Sequence, residues 1–164
     1  MSGTCAEPSI WLELAKGVPA AVVALLVGFV GVGIAYRQYR VARAKLNLDL
    51  FEKRYELFTL VWEFASSVTT KGPPPLLAPE RAAVTNLLPK IEFLFGANIA
   101  QYVRDLNANA ATLWAIKQAT EANNDVMRPE HIYRHLELMK WFADEAMVGI
   151  RKQFGVYLKF EQWH

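Results

Sequence analysis

Cysteine is almost missing from this sequence: among 164 residues Cys5 is the single example. That excludes a disulfide within the chain and any metal site built on paired cysteines. A glycine-rich phosphate loop is absent, as is a Ser or Cys nucleophile in a tight elbow, so the usual marks of phosphoryl and acyl transfer are missing. Period-two runs of β-branched residues with turn punctuation are absent apart from the last few residues, which argues against a sheet. Charge imbalance is lacking too. The net charge of +2 is too small to suggest a polyanion partner for the chain as a whole, and without a helix-turn-helix, zinc-finger or RNA-binding signature no nucleic acid is expected.

Long apolar runs are scarce as well, with one exception. Gly17 to Tyr36, GVPAAVVALLVGFVGVGIAY, carries no charge, and about twenty helical residues cover roughly 30 Å, the thickness of the hydrocarbon layer of a bilayer. Before it stand Glu7, Glu13 and Lys16; after it stand Arg37, Arg40, Arg43 and Lys45, ahead of the first acid, Asp49. Basic residues close to a span's end stay in the cytoplasm, so the amino terminus is expected outside and the carboxy-terminal part inside. A cleaved secretory signal, with Gly33 and Ala35 as its small residues, fits less well, because the apolar core is too long and its leading segment is mildly acidic. Ser9 is a candidate cap for a short turn, Trp11 suits the outer interface, and Pro19 is placed in the first turn of the apolar run, where a missing amide costs least.

Ala20, Ala24, Gly28, Gly31 and Ala35 fall at steps of three and four, placing small residues on one stripe of the span. Such a stripe lets backbones approach in lipid, and self-association or pairing with another span is expected there. Arg37, Arg40, Arg43 and Lys45 are the candidates for contact with anionic lipid headgroups, each cation near the surface contributing about 1 kcal/mol.

Neither Gly nor Pro occurs between Tyr36 and Ser67, and the composition predicts one helix running from the bilayer into the cytoplasm. Two apolar rows lie along it. Phe51, Tyr55, Phe58, Trp62 and Ala65 form one, and Leu50, Leu57, Val61, Phe64 and Val68 form the other. Asp49, Glu52 and Glu56, beside Lys45, Lys53 and Arg54, read as a solvated face with i, i+4 pairs rather than as an acid–base cluster.

The string Ala42 to Tyr55, ARAKLNLDLFEKRY, resembles a motif in a group of uncharacterised bacterial single-span membrane proteins, in which an apolar span leads into a helix with a pattern like KLxLDLFEKRY. The later pieces FLFG (Phe93 to Gly96, with Tyr102) and FGVYLKF (Phe154 to Phe160) are similar to the same group's recurrent segments. The resemblance implies bacterial origin, an inner-membrane location and a helical cytoplasmic domain; it implies no activity and no site residues.

Downstream, Gly72 and the three prolines Pro73 to Pro75 end the long helix. A second helix is predicted from Pro79 to a stop at Gly96, bent or divided at Pro89, and a third from Ala97 to about Ala122. Asn123, Asn124 and Asp125 supply a turn, and a fourth helix starts near Pro129, presenting Ile132, Leu136, Met139, Phe142, Ala143, Ala146 and Ile150. Gly155 caps it, and Val156 to Phe160 reads as an extended tail. His131 and His135 share a helix face, but Ile132 stands where a zinc-peptidase motif needs glutamate and no third ligand is evident, so a surface pair is the better reading. Trp114, Trp141 and Trp163 with Tyr133 and Tyr157 read as core rather than pocket lining.

The expected fold is therefore all-α: one N-terminal transmembrane helix continuous with a cytoplasmic antiparallel bundle of about four helices and an extended C-terminal tail. Residues 1–16 form a short periplasmic segment, 17–36 the span and 37–164 the cytoplasmic domain. The expected function is a non-enzymatic, membrane-tethered interaction module, a scaffold or accessory subunit in the inner membrane. Its partners are the lipid bilayer and either a second copy or another membrane protein met through the span, and no cofactor, metal or catalytic residue is expected. The other class is a ligand-responsive membrane sensor or effector, for example in bacterial defence or stress signalling, in which a small anionic signal changes the packing of the spans through the long helix.

Overall fold

The computed structural model describes residues 10–159, with side-chain exposure described from residue 22 onward. Five α-helices follow in order: α1 (Ile10–Lys71), α2 (Pro79–Phe95), α3 (Ala97–Glu121), α4 (Pro129–Asp144) and, after a π-helical turn at Glu145–Gly149, α5 (Ile150–Gly155). No strand occurs among the described residues. The chain divides into two compact units, Met1–Leu48 and Asp49–His164.

In the first unit every described side chain from Val22 to Leu46 is exposed. This is the one helix among the described residues that is long and apolar enough to cross a membrane, and none of its apolar window is buried inside the protein. Helical backbone already begins at Ile10, so Pro19, in the first turn of the apolar run, lies inside the helix. Cys5 and Ser9 precede the described residues, Phe160, Trp163 and His164 follow them, and the side chains of Trp11, Pro19 and Ala20 also fall outside the description.

The second unit has a continuous apolar core. From α1 it takes Leu57, Val61, Phe64, Ala65 and Val68; from α2, Val84, Ile91 and Phe95; from α3, Ile99, Val103, Leu106, Ala110 and Leu113; from α4 and α5, Leu138, Phe142, Ile150 and Phe154. Each large side chain fully removed from water contributes roughly 2 kcal/mol before the entropy of ordering is subtracted. Of the two apolar rows on α1, the one through Leu57 and Val61 is buried. The other is only partly covered: Phe51 and Phe58 are half-buried, while Tyr55 and Trp62 remain 53% and 41% exposed.

Gly72, in the left-handed region at φ 87°, and the prolines after it stop α1 at Lys71. Pro89 neither stops nor divides α2, which runs on to Phe95. It stands on an exposed position, where the amide it lacks is least needed. Gly96, at φ 90°, closes α2 by donating its amide to the Glu92 carbonyl at 2.8 Å. The turn before α4 uses Asn124 and Asp125 at φ 57° and 61°, residue types that tolerate this region, and Asn123 Nδ2 holds the Val126 carbonyl at 2.8 Å.

Two expectations for the last helices need correction. Ile132 and Leu136 are 44% and 62% exposed, and Leu138 is buried in their place beside the expected Phe142 and Ile150. Phe142 and Ile150 are eight positions apart, which on a regular helix leaves them about 80° out of line. The π turn absorbs one extra residue, so that Ile150 and Phe154 return to the stripe begun by Leu138 and Phe142. The expected tail is not extended over residues 156–158, and Phe160 lies outside the described residues. The Tyr157 amide donates to the Phe154 carbonyl at 2.9 Å and the Leu158 amide to the Gly155 carbonyl at 3.3 Å, a coiled turn that brings the Tyr157 ring to 5.5 Å from that of Phe95.

Candidate functional site

Arg54 is the convergence point of the second unit. Its Nε donates to the Leu94 carbonyl at 3.1 Å and its Nη1 to the Tyr157 carbonyl at 3.5 Å, while the guanidinium carbon lies 5.9 Å from the centre of the Phe95 ring. The Leu94 carbonyl belongs to the last turn of α2, where the chain has no further amides to offer and the helix dipole is negative, and the Tyr157 carbonyl to the turn that follows α5. A planar fork of donors suits two such acceptors better than an ammonium does. Around it, Phe95 meets Phe154 edge-on at 4.9 Å, and Phe58 meets Phe154 at 5.9 Å. Burial lowers the Arg54 pKa from its ordinary value, against an opposing contribution from Tyr157.

This corrects the reading of Arg54 as one charge on a solvated face. Lys53 and Glu56 do form an exposed pair at 3.2 Å, but Arg54 is turned inward. The signal was present: Arg54 lies in line with Leu50 and Phe58 at helical spacing of four, an apolar row in which a cation needs a partner. The three segments FEKRY, FLFG and FGVYLKF, noted separately in the sequence, meet at this one junction.

A second junction forms at the π turn. The Tyr102 hydroxyl of α3 donates to Glu145 Oε2, and the Trp62 indole N–H of α1 donates to the Ala146 carbonyl at 2.8 Å. Burial, and then the bond and charge of Glu145, push the Tyr102 phenol well above the ordinary tyrosine range. The Glu145 carboxylate folds back over Gly149, where an added Cβ would collide with Oε2. Nothing in the sequence marked Tyr102 and Glu145 as partners, because they are 43 residues apart and polar positions on a helix carry no period of their own.

Elsewhere, Arg81 is 6% exposed and donates through Nη2 to the Asn107 carbonyl at 3.0 Å; burial lowers its pKa too. A groove of about 490 Å³ lies between the end of α1 and the start of α2, with Phe64, Val84 and Leu87 among its apolar walls and Ser67, Thr70 and Glu80 at its edges. Of the aromatic residues considered above, Trp163 lies outside the described residues, Tyr133 is 79% exposed and so is not core as expected, Trp141 packs on Phe142 at 5.0 Å, and Tyr157 belongs to the Arg54 junction. His131 and His135 are both half-buried. Among the described residues no group of three or more His, Cys, Asp or Glu side chains is placed to hold a metal ion.

Arg37, Arg40, Arg43 and Lys45 all lie on α1 with exposed side chains. At helical spacing they are spread around the cylinder as a collar. Ala24, Gly28, Gly31 and Ala35 are likewise exposed, and Ala24 and Gly28 floor a shallow concavity rimmed by Leu25, Phe29 and Val32. No protein-family model matches the chain, and neither the curated proteins nor the solved structures contain a match.

Proposed function

We propose that the chain is a membrane-tethered, non-enzymatic interaction module of the bacterial inner membrane, acting as scaffold or accessory subunit. The observation that carries this reading is the apolar stretch of α1. From Val22 onward its valines, leucines and phenylalanine are each at least half exposed, from Val22 at 51% to Phe29 at 71%. Apolar area left in water costs roughly 25 cal/mol for each Å², so a helix that its own chain does not cover is best satisfied by lipid. The collar of Arg37, Arg40, Arg43 and Lys45 supports an orientation with the second unit in the cytoplasm and the amino terminus outside.

In this reading α1 leaves the bilayer without a break and becomes one member of an antiparallel bundle of about four helices. Contacts running in opposite directions along the chain support that packing: Arg54 with Tyr157 and Trp62 with Ala146 for α1 and the last helices, Arg104 with Glu92 and Asn107 with Thr85 for α2 and α3. Arg54, Trp62, Arg81 and Tyr102 use polar side chains to join helices, and exposed apolar side chains remain for partners.

Solubilising tagged full-length chain in mild detergent and identifying what copurifies tests the interaction role. A stable stoichiometric partner, either another protein or a second copy, is expected. Recovery of the chain alone as a monomer, together with a thermal shift produced by anionic nucleotides, would instead favour a ligand-responsive sensor.

A further inference from the structure

We propose that the groove between the end of α1 and the start of α2 is a binding site for a small organic cation, an ammonium carried on an apolar body. Two helical stripes build it. Leu60, Glu63, Ser67 and Lys71 follow one another on α1 at steps of three and four, and Glu80, Ala83 and Leu87 do the same on α2. Phe64 and Val84, which also line the groove, are buried members of the core, so its floor is apolar. Leu60 and Trp62 remain 37% and 41% exposed along it. The volume of about 490 Å³ falls within the range of small-molecule sites, about 300 to 1,000 Å³. The indole N–H of Trp62 is already given to the Ala146 carbonyl, and what its ring still offers is a π surface, which attracts cations.

The polar lining selects the sign of the ligand. Glu63 and Glu80 bring two negative charges against the one positive charge of Lys71, and among the described residues none of the three is in an ion pair. The hydroxyls add acceptors and not donors. Ser67 Oγ donates to the Phe64 carbonyl at 2.7 Å and Thr70 Oγ1 to the Ser66 carbonyl at 3.0 Å, so each has its proton engaged and its lone pairs left for a ligand. An ammonium has donors only and matches such a lining, whereas a carboxylate or phosphate meets two charges of its own sign. A bare inorganic cation would leave the apolar floor in water, which is why the ligand carries an apolar body. Every lining residue belongs to the second unit, and the assignment does not depend on whether α1 is anchored in lipid.

The test titrates the full chain, in a neutral mild detergent, with three probes that share a phenylpropyl body and end in an ammonium, a hydroxyl or a carboxylate, and follows binding by isothermal titration calorimetry. Saturable binding of the ammonium probe is expected, with an affinity about tenfold above that of the alcohol, as two exposed charge pairs together supply. The carboxylate probe is expected not to bind. In a Glu63→Gln, Glu80→Gln chain the ammonium probe should lose its advantage while the alcohol binds as before. Ala83→Trp, at an exposed position within the groove, should abolish binding of both and leave the melting temperature of the unliganded chain unchanged; the glutamine chain keeps the shape of the groove and decides the matter if the tryptophan chain unfolds. Equal affinity for the three probes, tighter binding of the carboxylate, an ammonium affinity untouched by the two glutamines, binding that survives Ala83→Trp in a folded chain, or no saturable binding of the ammonium probe would each overturn the site. A stable copurifying partner together with no probe binding keeps the interaction role and removes this site, and probe binding by a chain that recovers no partner does the reverse.

Discussion

Arg54 illustrates how one side chain can close a small helical unit. Its guanidinium holds two carbonyls, one from the last turn of α2 and one from the turn after α5, and lies on the face of Phe95. Hydrogen bonds from a charged donor contribute about 1.5 to 3 kcal/mol each when partly buried. Arg54→Ala is therefore expected to destabilise the second unit by roughly 3 kcal/mol, with Arg54→Lys recovering only part because an ammonium cannot reach two carbonyls in a plane. Thermal unfolding of the full chain, followed by tryptophan fluorescence, checks this; equal melting temperatures for wild type and Arg54→Ala would contradict it. Tyr102 gives a pH dependence whose sign is fixed. Its folded pKa lies above the ordinary value of 10.0, so the folded state holds a proton that the unfolded chain has released. The stabilisation is complete below pH 10 and declines as the pH rises above it. The difference in stability between wild type and Tyr102→Phe is expected to shrink in alkaline buffer, and a difference that grew would reverse the assignment.

Among the elements, the π turn has the largest consequence for its size, since it carries the stripe of Leu138 and Phe142 over to Ile150 and Phe154. Glu145 is held by Tyr102 and occupies the space above Gly149. Gly149→Ala must displace that carboxylate, at a cost of about one hydrogen bond, roughly 1 kcal/mol. With Glu145→Ala in place the added methyl has room, and the same change should be neutral or stabilising by about 0.5 kcal/mol through helix propensity. A cycle of four variants measured by thermal unfolding tests the coupling; equal effects of Gly149→Ala in both backgrounds would sink it. Much at this scale was legible in the sequence. The stop at Gly72 to Pro75, the Gly96 corner, the Asn124–Asp125 turn and the start at Pro129 each rest on local backbone chemistry, which a sequence displays directly. What was not legible depends on packing: Pro89 was accommodated because its side of α2 is exposed, and Ile132 and Leu136 fit the helical period yet lost the core to Leu138. The turn after Gly155 follows the docking of Tyr157 on Phe95, a contact between distant segments that no local pattern encodes. The same limit explains Arg54, whose odd position in an apolar row was visible while its two acceptors were not.

For the whole molecule, the proposed membrane tether rests on the apolar stretch of α1 and the basic residues after it. The lipid-facing claim has a simple consequence at the collar. If the proposed tether holds, replacing Arg37, Arg40, Arg43 and Lys45 together by glutamine should remove about 4 kcal/mol of attraction to anionic lipid and the charge bias toward one orientation. Mixed topology is the expected outcome in a dual-reporter fusion, and an unchanged topology would show that these four residues do not set it. The most direct test of the central claim is protease protection of a C-terminal epitope on the intact full-length chain. In spheroplasts the epitope should survive added protease and be lost only when the inner membrane is opened with detergent, with the protein remaining in the pellet after an alkaline carbonate wash. Digestion of the epitope in closed spheroplasts, or release of the intact chain into the carbonate supernatant, would contradict it.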